Sequence, residues 1–181
     1  TLGTLASTGN VILTTQGTAG DVTIDNGTTA LGVQGTVSGN LALTSGGAIT
    51  DSAALNVSGT TTVTTDVDDI TITLGTLAST GNVILTTQGT AGNVTIDNGT
   101  TALGVQGTVS GNLALTSGEA ITDSAALSVS GTTTVTTDVA DKTITLDTLA
   151  STGAVLLTTS GTAGDVVIDN GTTALDLGAS T

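Results

Sequence analysis

The segment Thr1-Leu2-Gly3-Thr4-Leu5-Ala6-Ser7-Thr8-Gly9 returns as Thr73 to Gly81 and, with Asp147 for the first glycine, as Thr145 to Gly153. The spacing between successive copies is constant. Between residues 1–72 and 73–144 only five positions differ: Asp21/Asn93, Gly47/Glu119, Asn56/Ser128, Asp68/Ala140 and Ile70/Lys142. A period of this length and fidelity points to a stacked array, in which each unit buries its apolar face only against its neighbours. The expected organisation is one solenoid segment over residues 1–181, with units 1–72, 73–144 and the partial 145–181.

A second rhythm sets the secondary structure. Gly39-Asn40-Leu41-Ala42-Leu43-Thr44, Gly59-Thr60-Thr61-Thr62-Val63-Thr64 and Gly81-Asn82-Val83-Ile84-Leu85-Thr86 share one template, a glycine followed by apolar residues two apart. Period two is the strand period, so Leu41 and Leu43 face inward while Asn40, Ala42 and Thr44 face outward. No segment keeps the helical apolar period, and Thr, Val and Gly are poor helix formers. The template glycines fall at Gly9, Gly39, Gly59, Gly81, Gly111, Gly131 and Gly153. They predict coils of three unequal lengths per unit: Gly9–Ser38, Gly39–Ser58 and Gly59–Thr80. Each coil divides into three short strands, for example Leu41/Leu43, then Ile49, then Leu55/Val57. The fold predicted is all-β: a parallel β-helix, a three-faced β-solenoid of about seven coils. A meander or sandwich needs a hairpin turn between every strand pair, but Asn-Gly occurs once per unit, at Asn26, Asn98 and Asn170, and reads better as a corner.

Composition narrows the chemistry. The chain has no Phe, Trp, Tyr, Met, Cys, Pro or His, one basic residue and 15 acidic ones, for a net charge of −14. Mean hydropathy is +0.41, too high for a disordered polyelectrolyte. Val, Ile, Leu and Ala suit a thin layered core. Without Cys or His there is no disulfide, thiolate nucleophile, imidazole base or soft metal ligand. A single Lys cannot neutralise phosphates, so neither nucleic acid nor an anionic membrane surface is an expected partner. No apolar run approaches the ~18 residues of a span, so no membrane insertion is expected of these residues.

Few side chains remain as candidate sites. Catalysis needs a nucleophile with a base, or carboxylates paired in a cleft. The densest acidic cluster, Asp66-Val67-Asp68-Asp69, becomes Asp138-Val139-Ala140-Asp141-Lys142 in the next unit, which a catalytic group would not tolerate. Enzymatic function is not expected, and no cofactor. Calcium is the metal that Asp66, Asp68 and Asp69 would suit, since it takes oxygen ligands; the competing reading is a solvated acidic corner. Thr60-Thr61-Thr62 and Thr71/Thr73 raise an ice-binding face, which would need one pattern in every coil; three coil lengths favour solubilising threonines. Ile12, Ile84 and Leu156 fall on outward positions at matching sites and offer a lateral contact stripe recurring once per unit; the favoured competing reading is isolated exposed aliphatics, which are normal on a protein surface. Alternation puts Ile70 inward, so Lys142 at its matching site implies either a corner with the ammonium in water or a local register error.

The run from Gly39 through Ser45-Gly46-Gly47-Ala48-Ile49-Thr50-Asp51-Ser52-Ala53-Ala54-Leu55-Asn56-Val57-Ser58 to Thr64, its copy Gly111 to Thr136, and Asp69-Ile70-Thr71-Ile72 resemble the repeats of filamentous-haemagglutinin-like adhesins, large secreted proteins of Gram-negative bacteria. The resemblance covers essentially the whole chain. It implies a right-handed parallel β-helix, export through the outer membrane and an extracellular or bacterial cell-surface location. The function expected is a repeat module of a giant adhesin acting as a stiff stalk, its partners the flanking repeats of the same chain. The alternative is a self-assembling extracellular filament or sheath subunit stacking end to end with copies of itself. No stretch reads as a polar or helical cap, which suits either.

Overall fold

Alternating Val, Leu, Ile and Thr, punctuated by glycine, fold as expected into strands alone. The computed structural model describes residues 1–181 and contains eighteen strands and no helix. In chain order they are β1 (Val11–Thr14), β2 (Val22–Asp25), β3 (Leu31–Val37), β4 (Leu41–Ser45), β5 (Ile49–Val57), β6 (Thr61–Asp68), β7 (Ile72–Leu74), β8 (Leu77–Ser79), β9 (Val83–Gln88), β10 (Val94–Asp97), β11 (Leu103–Val109), β12 (Leu113–Ser117), β13 (Ile121–Val129), β14 (Thr133–Ala140), β15 (Ile144–Leu146), β16 (Leu149–Ser151), β17 (Val155–Ser160) and β18 (Val166–Ile168). Each strand bonds in parallel to those one coil away, so the chain is a parallel β-solenoid of about eight coils. At about 4.8 Å per strand the stack is roughly 38 Å long.

The ladders run through two nine-stranded sheets. Sheet I has the order β1-β3-β5-β7-β10-β12-β14-β17, with β8 also paired to β5, and sheet II the order β2-β4-β6-β9-β11-β13-β15-β18, with β16 also paired to β13. The three inward clusters expected in coil Gly39–Ser58 are present, but its second and third, Ile49 and Leu55/Val57, ride on one continuous strand, β5. In β5, Ile49 pairs with Ile72 of β7 while Leu55 and Val57 pair with Leu77 and Ser79 of β8. Between them the register against β3 slips at Asp51–Leu55. This bulge bends the strand, so a third face appears as a crease rather than a separate sheet; β13 with β15 and β16 repeats it.

Coil and repeat are out of phase, which corrects the three-coil unit. Val11 of β1 and Val155 of β17 are two repeats apart in sequence and seven steps apart along sheet I. One repeat therefore winds three and a half coils, not three. The error lies in the longest expected coil, Gly9–Ser38, and its copy Gly81–Ser110. Gly59 N–H donates to Gly39 O, and Gly131 N–H to Gly111 O, so the intervals from Gly39 to Gly59 and from Gly111 to Gly131 are single coils. Gly111, however, packs over Ala91 and Asn93 rather than over Gly81. The interval from Gly81 to Gly111 is thus one and a half coils, and β1, β9 and β17, the same strand in three copies, alternate between sheets.

Thirty-two buried aliphatic residues form one continuous core column. The predicted inward residues Leu13, Ile24, Leu31, Val33, Leu41, Leu43, Ile49, Leu55, Val57, Val63, Ile72, Leu74 and Leu77 are all in it, while Val11 and Val22 are partly buried against it. Ile70 is not: it lies between strands, half-buried, after the left-handed corner at Asp69 (φ 62°). Alternation ends where the strand ends, so Lys142 sits on a corner and no buried charge arises. Close stacking explains two glycines. Gly35 (φ 117°) and Gly107 (φ 120°) lie against the carbonyl oxygens of Leu13 and Leu85, where a Cβ has no room.

Candidate functional site

The polar residues of the corners are occupied in joining coils. Asn98 is fully buried beside Gly99 (φ 55°). Its Oδ1 accepts from Ser79 N–H at 2.8 Å, and its Nδ2 reaches the carbonyls of Ser79, Thr101 and Ala102 at 2.9–3.1 Å. One amide thus ties its own turn to the preceding coil. Asn26 and Asn170 make the same sets of bonds. The Asn-Gly dipeptide is therefore a corner, as its frequency implied.

The aspartates act in the same way. Asp69 Oδ1 accepts from Thr90 and Ala91 N–H at 2.7 and 2.8 Å, and Asp141 Oδ1 accepts from Thr162 and Ala163 N–H at 2.9 Å. These backbone donors hold both carboxyls below the ordinary carboxylate range, led by Thr90 and Thr162 respectively. Asp51 spans Gly75 and Thr76 N–H with its two oxygens at 2.8 and 2.6 Å, and Asp123 repeats this on Asp147 and Thr148.

Of the calcium candidates, Asp69 is engaged with amides of the next coil, while Asp66 and Asp68 are exposed beside Val67. The register against β9 slips here, between Thr64 and Asp68, so the three do not converge. No group of three or more acidic side chains gathers into a metal-ion site. The substitutions Gly47/Glu119 and Ile70/Lys142 prove to be coupled: Lys142 Nζ bonds Glu119 Oε2 at 2.7 Å across one coil. In the sequence the two look unrelated, because a whole coil of chain parts them.

The lateral stripe does not form. Ile12 on β1 and Leu156 on β17 lie on sheet I, seven coils apart, and Ile84 on β9 lies on sheet II. Of the three only Ile12 is largely exposed; Ile84 and Leu156 are half-covered, with Thr62 and Gln106 flanking Ile84 and Thr134 beside Leu156. The half-coil phase is the reason: matching positions of successive units cannot share a face. The outward threonines are also less regular than three adjacent residues suggested. Thr61 points inward and bonds Ser79 Oγ at 2.9 Å, and the outward column Thr50-Thr73-Thr95-Ala114-Thr134-Leu156 changes residue type along the rod.

The sequence reading missed an internal polar file. Besides Thr61/Ser79, Thr133 bonds Ser151 and Thr87 bonds Ser110. Ser45 and Ser117 donate to the carbonyls of Thr29 and Thr101. Thr65 and Thr137, next in register, keep buried hydroxyls with no partner. The signal was available, since Thr61 and Thr65 flank Val63 at inward spacing. One surface depression, of about 300 Å3, is lined by Asn93, Asn112, Thr132, Thr134 and their neighbours. None of these four is a base or a nucleophile activated by one.

The family described as repeats of unknown function (DUF5649) matches residues 19–90 and 91–160, more than three quarters of the molecule. The chain belongs to this family. The first match, 19–90, is as long as the sequence unit 1–72, so in this chain it also spans three and a half coils. No curated protein and no solved structure matches the chain. The core aliphatics, corner asparagines and capping aspartates described above recur in both full copies.

Proposed function

We propose that this repeat module is a stiff spacer in a large bacterial surface protein of the filamentous-haemagglutinin-like adhesin type, outside the cell, with flanking repeats of the same chain as its partners. The observation that carries this reading is the unbroken ladder. Every coil hydrogen-bonds to the next along both sheets, and the polar corner residues are committed to the same joints. A rod so built transmits length and stiffness. The adhesin setting is supported by the resemblance of Gly39 to Thr64 and Gly111 to Thr136 to adhesin repeats. The absence of His and Cys from the composition supports a mechanical role over a catalytic one.

A spacer separates reach from recognition. Removing one repeat unit from the displayed protein is expected to shorten the rod by three and a half coils, roughly 17 Å at strand spacing, and to leave specific binding intact. Electron microscopy gives the length and a cell-binding assay the recognition. Loss of specific binding at unchanged surface display would refute the spacer and make the repeat itself the ligand-binding element.

A further inference from the structure

We infer that repeat number sets the rotational phase of the rod: each repeat unit added or removed transfers whatever follows it to the opposite face, and only an even change restores it. This stands on the fold alone and holds whether or not the rod is an adhesin stalk. The observation is the mismatch between two periods. A unit that wound a whole number of coils would place every copy of a residue in one column, on one face. Here β2, β4 and β6 of sheet II are matched by β10, β12 and β14 of sheet I, and β9 of sheet II by β17 of sheet I.

The mismatch is built into specific residues. The left-handed corners at Asp69 and Asp141, and the bulges at Asp51–Leu55 and Asp123–Leu127, fix how much chain each coil consumes. Successive coils consequently take up unequal lengths of chain: Leu31 pairs with Ile49, and Ile49 then reaches further along, to Ile72. Stacking unlike strands also has a packing consequence. Thr61, for example, lies in its column between Leu41 and Val83, a small polar side chain between two aliphatic ones. Because the units are near-identical, gain or loss of one unit would be a switch of face as well as a change of length. Two units lengthen the rod by seven coils and leave the facing unchanged.

Three nitroxide pairs in the intact chain test this, each on outward threonines that make no side-chain hydrogen bond. Thr73→Cys with Thr134→Cys lies in one column of sheet I three coils apart, about 14 Å. Thr50→Cys with Thr134→Cys lies in the same column four coils apart, about 19 Å. Thr62→Cys with Thr134→Cys joins equivalent positions of adjacent units. With three and a half coils of rise, about 17 Å, and sheets about 10 Å apart, its backbone separation is about 20 Å. The label arms then point away from each other and lengthen it further. Dipolar electron-resonance distances should therefore rank Thr62–Thr134 longest of the three. A Thr62–Thr134 distance equal to or shorter than Thr50–Thr134 means a whole number of coils per unit and overturns the inference.

Discussion

Replacing Thr65 and Thr137 by valine should stabilise the protein, against the usual direction for buried substitutions. Both hydroxyls are sealed in the column and have no partner. The hydroxyl in register with each is already spent, Ser45 on Thr29 O at 2.7 Å and Ser117 on Thr101 O at 2.8 Å. A buried unsatisfied donor costs about 1–3 kcal/mol, and valine keeps the threonine shape while removing the polar atom. The two sites lie a full repeat apart and on different sheets, so their effects should add. Taking the lower bound, Thr65→Val with Thr137→Val gains about 2 kcal/mol, or roughly 4–8 °C in thermal midpoint for a chain of this size. The matched control is Thr61→Val, which breaks the buried Thr61–Ser79 bond and should cost about 1 kcal/mol. Urea denaturation of the parent, the double variant, Thr65→Val alone and Thr61→Val decides the matter. Equal destabilisation by Thr65→Val and Thr61→Val would show that the Thr65 hydroxyl is satisfied and refute the reasoning.

Other perturbations test the joints between coils. Asn98→Ala strips the partner from Ser79 N–H and three carbonyls and should cost about 2–5 kcal/mol, with hydrogen exchange accelerating first at Ser79 and Thr101–Leu103. Gly107→Ala drives a Cβ into Leu85 O at positive φ; a loss of several °C in melting midpoint is expected, whereas Gly75→Ala, with open space around it, should change little. Stability should fall as pH drops below about 4, because Asp69 and Asp141 have depressed folded pKa values and the unfolded chain takes up their protons first. Asp69→Asn should flatten that acid limb in a pH series of melting curves, and an unchanged limb would remove Asp69 from the account.

Much of the fold was legible because it is local. The inward set Leu41, Leu43, Leu55, Val57, Val63, Ile72 and Leu74 follows from side-chain alternation, which each strand enforces by itself. The Asn-Gly corner was equally readable, because its glycine supplies a left-handed turn at Gly27, Gly99 and Gly171 that few other residues tolerate. Ile70 failed for the complementary reason: alternation holds only while the strand lasts, and the corner at Asp69 ends it. The stripe of Ile12, Ile84 and Leu156 failed because facing is a property of the whole winding. The Glu119–Lys142 pair was hidden because its partners meet only when one coil lies on another.

The amino-acid sequence by itself determined that this chain is a stack of strands with an aliphatic interior, built of tandem units and containing neither His nor Cys. Those properties are written in spacing and composition. Only the tertiary structure decided that the ladders form two sheets with a crease, that the aspartates serve as caps between coils, and that one repeat makes three and a half turns. Coil length depends on how much chain each bulge and corner absorbs before the next strand finds its hydrogen-bonding partner. That register is chosen by contacts between coils, such as Val22 with Leu41 and Leu41 with Thr61, and no short window of sequence contains both sides of the contact.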